Sequence, residues 1–429
     1  MARMKRARTM AAAGRTLLAA SLLLAAASMA SAARSGPSGE SQTWTGASGS
    51  PQSDPRAFHI KYVEDFGYKC EFHQTTTRDG YVLGLFRIPH GASQNSATPG
   101  KVAVLQHGLL GSSFGWVVNL PHQSLAYMLA DAGYDVWMPN TRGNVFSRNN
   151  THLNPDEEAF WDFSWDDQLE LDLPAVYDYV LGETGNSDLV YVGHSQGTTM
   201  MFGGLSDPKI APLLQPRTSH YIALAPVAYV GNTEQQLLKD LADMGVAEQL
   251  YKFGVKEWLP DEWILHYIDP VICDVSPTFC QSLLIAFSGC SLRHKNATAV
   301  ANYLDVEPAG TSVKNVVHWS QQVRENSFTM FDYESPEANR QHYNQTDPPK
   351  YDLSQIQLPN STIFFAGGFD TLADPTDVDH LILLMQEATK NDQSKFPYTY
   401  KVLDYDHLDF TLADDAYIYV YSKILEHIP

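Results

Sequence analysis

"LVYVGHSQGTTM" spans Leu189 to Met200. An apolar run, Leu189-Val190-Tyr191-Val192, meets Gly193, a His, a Ser, a Gln and a second glycine, Gly197. The run reads as a buried strand, and "TTMMFGGL" after it can start a helix. A strand that enters a sharp turn and then a helix presents the turn's side chain at the rim of a sheet. The flanking glycines leave room for the strained backbone and for close packing. Ser195 is therefore the candidate nucleophile. The Gly-x-Ser-x-Gly pattern alone is cheap, because Gly111-Ser112-Ser113-Phe114-Gly115 matches it too. Ser113 lacks the context: its strand ends about Gln106, and Pro121 soon follows.

Working outward, "KVAVLQHG", "HYIALAPVAYV", "STIFFAGG" and "YTYKVL" read as further strands. "AYMLADAGYDVWMPN" reads as a helix closing at Gly133 and then a buried strand. "WDDQLELDLPAVYDYVLGETG" is a helix with Pro174 inside it or at a restart, and "DPTDVDHLILLMQEA" and "DDAYIYVYSKILEHI" are helices. In "YKCEFHQTTTRDGYVLGLFRIP" two alternating runs flank Asp79-Gly80, a hairpin signal. Strands alternating with helices predict an α/β fold, a mostly parallel sheet with helices on both faces. From Gly231 to Asn344 there are helical patterns and loops but no convincing strand. The expected organisation is a core of 57–230 and 345–429, with 231–344 inserted as a largely helical cap on the sheet's loop edge. There are no internal repeats.

The nucleophile's partners should follow later strands. "STIFFAGGFDTLADP" offers Asp370 and Asp374. Asp374 precedes Pro375 and a helix, the pattern of an N-cap with proline at N1. That favours Asp370 as the orienting carboxylate. "YTYKVLDYDHLDF" places His407 in the loop after the last strand, crowded by Asp404, Asp406 and Asp409. His294, His318 and His342 lie in the insertion and His380 inside a helix, so His407 is the candidate base. "QHGLLGSS" follows an early strand, where a His-Gly-type loop supplies an oxyanion donor. Leu109 N–H is the candidate there, and Gln196 N–H is the second donor. The order Ser195, Asp370, His407 is that of the α/β-hydrolase triad.

The first residues are atypical. Arg3, Lys5, Arg6, Arg8 and Arg15 give a basic start, Leu17 to Ala27 is apolar, and Ala30-Ser31-Ala32 offers small residues for cleavage. That is the layout of a secretory signal over 1–32. Residues 33–56, rich in Ser, Gly and Pro, read as a disordered leader. The signal carries five of the 29 basic residues and none of the 49 acidic ones, so the mature chain has a net charge of −25. Such a chain is a poor partner for nucleic acid or anionic membrane surfaces. No later segment is long and apolar enough to span a membrane. Four cysteines, Cys70, Cys273, Cys280 and Cys290, follow the signal. In an oxidising compartment some should pair. Cys273 and Cys280 close a short loop and are the first choice, with metal binding disfavoured by spacing that fits no common zinc pattern. Sequons at Asn149, Asn296, Asn344 and Asn360 point to glycosylation.

The chain resembles the family of gastric and lysosomal acid lipases. The stretches that carry the resemblance include "GYKCEFHQTTTRDGYVLGLFRIP", "QHGLLGSS", "LADAGYDVWMPNTRGN", "FWDFSWDD", "YVGHSQGTT", "PAGTSVKNVVHWSQ", "GGFDTLADPTDV" and "DHLDF", from about Tyr62 to the C-terminus. The resemblance implies Ser195 as nucleophile, Asp370 as acid, His407 as base, and Leu109 and Gln196 as oxyanion donors. It implies a cap disulfide between Cys273 and Cys280, leaving Cys290 free, and it names no partner for Cys70. It also implies a cap over the site. The insertion is dense in Leu, Val, Phe, Tyr and Trp, and Leu237, Leu241 and Met244 recur at helical spacing. Such a stripe is usually core; above the site it is also expected to line an acyl-chain tunnel or meet a lipid–water interface.

The expectation is a secreted or lysosomal-type (lysosome or vacuole lumen) ester hydrolase, without a cofactor, acting on neutral lipids: triacylglycerols and sterol esters. Acid-side activity is expected from the resemblance and the charge. The alternatives are another carboxylesterase or a thioesterase, or a non-enzymatic lipid carrier on the same fold. Carriers usually lose a triad member, and this chain has all three candidates.

Overall fold

A computed structural model describes residues 44–45, 51–52, 54–94, 100–258, 293–359, 361–389 and 396–429. Eight strands form one sheet: β1 (Glu71–Thr76), β2 (Val82–Ile88), β3 (Lys101–Gln106), β4 (Tyr134–Pro139), β5 (Leu189–His194), β6 (Thr218–Leu224), β7 (Ser361–Gly367) and β8 (Tyr398–Val402). Their order is β1-β2-β4-β3-β5-β6-β7-β8. β2 runs antiparallel to both neighbours, and every other pairing is parallel. Among the described residues, the α-helices of six residues or more are α1 (Pro55–Glu64), α2 (Leu125–Asp131), α3 (Leu173–Thr184), α4 (Gln196–Ser206), α5 (Gln236–Asp243), α6 (Val246–Lys252), α7 (Ala297–Leu304), α8 (Val313–Glu325), α9 (Pro336–Tyr343), α10 (Pro375–Ala388) and α11 (Ser422–His427).

Side chains alternate between the two faces of a strand, so a sheet covered on both sides needs apolar residues at consecutive positions. Leu105, Val136, Val192, Ile222 and Phe365 bury against one face, with α1, α2 and α11. Val104, Trp137, Tyr191, Tyr221 and Phe364 bury against the other, with α3 and α4. The hairpin forms as expected, with Thr76 paired to Val82. Pro174 stands at a restart, as the second residue of α3. A π turn over Gln168–Asp172 precedes it, and the Leu173 N–H reaches back to the Gln168 carbonyl. The wider turn accommodates a ring that lacks an N–H and crowds the preceding turn.

The chain between β6 and β7 carries α5 to α9. Within it α5, α6 and α8 share an apolar cluster of Val246, Ala247, Leu250, Val313, Val317 and Phe331, with Leu241 packed against it. Met244 of the expected stripe is exposed. Glu257–Trp258 pairs antiparallel with Thr311–Ser312, strands too short for alternation to reveal them. Helix α1 starts two residues ahead of the expected leader boundary, because the Asp54 carboxylate caps it at Arg56 N–H, 2.9 Å away. Trp44–Thr45 also pairs with Pro51–Gln52. The signal segment, Cys273, Cys280, Cys290 and Asn360 lie outside the described residues. Cys70 is buried, and burial pushes its thiol up to about 12. Among the described residues no helix is long and apolar enough to cross a membrane.

Candidate active site

β5 passes into α4 through Ser195, whose φ of 53° and ψ of −122° are unusual for a residue with a Cβ. Such a conformation costs of order 1–3 kcal/mol and persists only where the surroundings enforce it. They do so by close backbone approach. A Cβ on Gly193 would lie 2.8 Å from the Gly197 carbonyl carbon, and one on Gly197 would lie 2.5 Å from the Gln106 carbonyl oxygen. The Ser195 N–H donates to the Leu224 carbonyl of β6 at 3.1 Å. The side chain is left at the rim of the sheet, partly accessible.

His407 Nε2 lies 2.7 Å from Ser195 Oγ. The other ring nitrogen, Nδ1, lies 2.9 and 3.1 Å from the two Asp370 oxygens. Asp370 Oδ1 also accepts from Leu372 N–H at 2.9 Å and Ala373 N–H at 2.8 Å. The carboxylate is thus held by three donors, and both His407 and Asp370 are buried. Asp374 accepts from Thr376 N–H at 2.8 Å and caps α10, as its place before Pro375 predicted. Of the aspartates around His407, Asp404 is exposed, while Asp406 and Asp409 turn to Lys295.

The two backbone donors named from sequence belong to peptides whose carbonyls are tied. The Gly108 carbonyl accepts from His107 Nδ1 at 2.8 Å and from Gly111 N–H at 3.1 Å. Burial lowers His107 to about 4, so it is neutral, and its Nε2 accepts from Thr141 N–H at 3.2 Å. The proton therefore sits on Nδ1. A trans peptide turns the Leu109 N–H away from that carbonyl. The Ser195 carbonyl accepts from Thr198 N–H and Thr198 Oγ1, both at 2.7 Å, so the Gln196 N–H also points away from its anchor. Neither N–H has an acceptor among the described residues. Gly108 lies directly against the nucleophile: a Cβ there would sit 2.8 Å from Ser195 Cβ.

Ser113 is buried in a short 3-10 turn, and its hydroxyl accepts from Asn140 Nδ2 at 3.1 Å. Its histidine neighbour, His59, is 3.4 Å away and stacks on Phe86. Two contributors escaped the sequence reading. His194, beside the nucleophile, reaches the His407 backbone carbonyl. Lys295 is buried against both aspartates that flank His407. The only sequence signal for Lys295 was the acidic crowding of "DYDHLD", which calls for a cation once buried.

Residues 60–120 match the partial alpha/beta-hydrolase lipase region, and residues 102–208 match the alpha/beta hydrolase fold. The chain is 41 % identical over 381 residues to gastric triacylglycerol lipase of Rattus norvegicus, covering 88 % of this chain and 92 % of that one. It is 38 % identical over 369 residues to lipase member K of Mus musculus, covering 85 % and 89 %. It is 39 % identical over 376 residues to lysosomal acid lipase/cholesteryl ester hydrolase of Homo sapiens, covering 85 % and 88 %. Identity at that level along nearly the whole of both chains, on the sheet order described above, makes this chain a member of the gastric and lysosomal acid lipase family of α/β-hydrolases.

Proposed function

We propose that this chain hydrolyses carboxylic ester bonds of neutral lipids, triacylglycerols and also sterol esters, through an acyl-enzyme on Ser195. The observation that carries the reading is the hydrogen-bonded run Ser195–His407–Asp370, at 2.7 and 2.9 Å. His407 Nε2 takes the hydroxyl proton as Oγ attacks the ester carbonyl carbon. The oxyanion forms against the N–H groups of Leu109 and Gln196. Collapse breaks the bond to the alcohol oxygen, which leaves with the proton from His407. Water then attacks the acyl-enzyme by the same route, releasing the fatty acid and returning a proton to Ser195. Asp370 holds the base in its Nδ1–H tautomer and stabilises the imidazolium that forms.

Residues 231–344 act as a cap that meets the lipid–water interface and receives the acyl chain. A signal peptide at 1–32 directs the chain to a secreted or lysosomal fate. Asn149, Asn296 and Asn344 are exposed, consistent with glycan acceptors. Hydrolysis of trioleoylglycerol and cholesteryl oleate from pH 4 to 8, with Ser195→Ala alongside, tests the reading. A maximum on the acid side is expected. Labelling by a fluorophosphonate that survives Ser195→Ala would remove the assigned nucleophile. Labelling without turnover of any ester would favour a carrier.

A further inference from the structure

Gln196 contributes more than a backbone N–H. Its side chain is buried, and both the nitrogen and the oxygen of its amide are engaged. Nε2 donates to Gln168 Oε1 at 2.8 Å. Oε1 accepts from Trp319 Nε1 at 2.7 Å and from Asn315 Nδ2 at 3.1 Å. Two donors converging on one oxygen fix which end of the amide is which, since a flip would set N–H groups against N–H groups. The partners come from opposite sides. Gln168 opens the π turn ahead of α3, and Asn315 and Trp319 lie one helical turn apart on α8, in the inserted segment.

Asn315 is itself held through both its side chain and its backbone. Gln168 and Asn315 are buried. Asn315 Nδ2 also donates to Thr311 Oγ1 at 3.1 Å, and its backbone N–H donates to Ser312 Oγ at 2.9 Å. Ser312 Oγ in turn donates to the Phe163 carbonyl on the core side. Gln196 is the first residue of α4, where the chain leaves the strained Ser195 turn. A side chain pinned at both ends of its amide fixes the Cα–Cβ direction, and with it the peptide that carries the Gln196 N–H.

We infer that Asn315 and Trp319 of the inserted segment, with Gln168 of the core, are positioning residues that aim the Gln196 N–H at the reaction's oxyanion. The inference rests on the acyl-enzyme reading given above. It makes the inserted segment part of the apparatus for the chemical step as well as a cover for substrate. Removing an entire oxyanion donor costs about 10²- to 10³-fold in rate, and a misaimed one costs less, about tenfold.

The test is a double-mutant cycle on the full chain with p-nitrophenyl butyrate, an ester too short to sample a long acyl tunnel. Trp319→Phe keeps an aromatic ring, smaller than the indole, and removes the donor. Gln196→Met removes the amide and keeps the backbone N–H. Trp319→Phe is expected to lower kcat about tenfold with KM nearly unchanged, and to have no further effect in the Gln196→Met background. Asn315→Ala provides a second arm of the same cycle if Trp319→Phe folds poorly, as judged by thermal unfolding. An undiminished kcat in Trp319→Phe, a change in KM alone, or losses that multiply in the double variant would each overturn the inference. Hydrolysis that survives Ser195→Ala would instead overturn the reading beneath it.

Discussion

The imidazole of His194 ends 2.8 Å from the backbone carbonyl oxygen of His407, so the residue before the nucleophile anchors the base. Burial, reinforced by the neighbouring His407 ring, pushes His194 down to about 3. It is neutral over any working pH, and the bond requires the proton on Nε2. The contact fixes the backbone from which the His407 ring projects. Removing it leaves a buried carbonyl without its donor and lets the base loop shift. His194→Leu is expected to lower kcat about tenfold, and His194→Gln, which can donate, to lower it less. Wild-type kcat in His194→Leu would show that the loop holds itself.

Asp370 and Asp374 sit four residues apart and do different work. Asp370→Asn can still accept from Leu372 and Ala373 N–H, but an amide nitrogen toward His407 Nδ1 favours the tautomer with its proton on Nε2. A ring so protonated cannot take the serine proton. The expected loss in kcat is about 10⁴-fold, with the fold intact. Asp374→Asn keeps a competent N-cap for α10 and should cost less than about 1 kcal/mol of stability, with little change in kcat. Steady-state kinetics of the two variants separate the roles, and equal losses would break the assignment.

The difference between what could be read in the sequence and what could not follows the range of each interaction. The hairpin at Asp79-Gly80, the strand entering Ser195 and the cap formed by Asp374 are local patterns, and local patterns are written in consecutive residues. Asp370 and His407 meet because each sits just past a strand that a parallel sheet must end at the same rim. The bonds from His194 to His407 and from Asn315 to Gln196 join residues 213 and 119 positions apart. Nothing in the spacing of the sequence announces them. The acidic crowding around His407 is legible in consecutive residues, but the cation that answers it is not. That cation, Lys295, lies over a hundred positions away, so a buried ion cluster looks like a charged loop.

Glu307 makes a prediction about pH. It is buried, accepts from Ser112 Oγ in the loop that carries Leu109, and burial raises it to about 8. Unfolded, the same group titrates at about 4.3. Between these values the folded chain holds a proton that the unfolded chain does not. Its stabilising contribution is therefore complete below about 4.3 and is lost as pH rises through 8. Glu307→Gln mimics the protonated form and keeps the oxygen that Ser112 needs. Thermal unfolding is expected to show the variant close to wild type at pH 5 and more stable at pH 8.5. Part of the downward slope with pH should remain, because burial also raises Asp166 to about 8. Parallel curves for variant and wild type across that range would exclude the buried proton.

Lys295 carries the strongest prediction about stability. Its side chain is buried, with Nζ 3.0 Å from both oxygens of Asp406 and bonded to Asp409. Asp406 Oδ1 in turn accepts from Leu408 and Asp409 N–H at 3.0 and 3.2 Å, so this cation joins the two carboxylates that frame the loop presenting His407. Burial pushes Asp409 up while Lys295 pulls it down. Lys295→Met removes the pull and leaves the buried Asp409 carboxylate without its cation, at a cost of about 3–5 kcal/mol near pH 7. In the variant Asp409, which burial already pushes up, loses the pull that opposes this, so the folded chain binds an extra proton as pH falls. The deficit must then be largest at neutral pH and shrink toward pH 4. Unfolding of variant and wild type at pH 4 and 7 measures it, and an equal gap at the two pH values would show that lost packing, not stranded charge, is the cause.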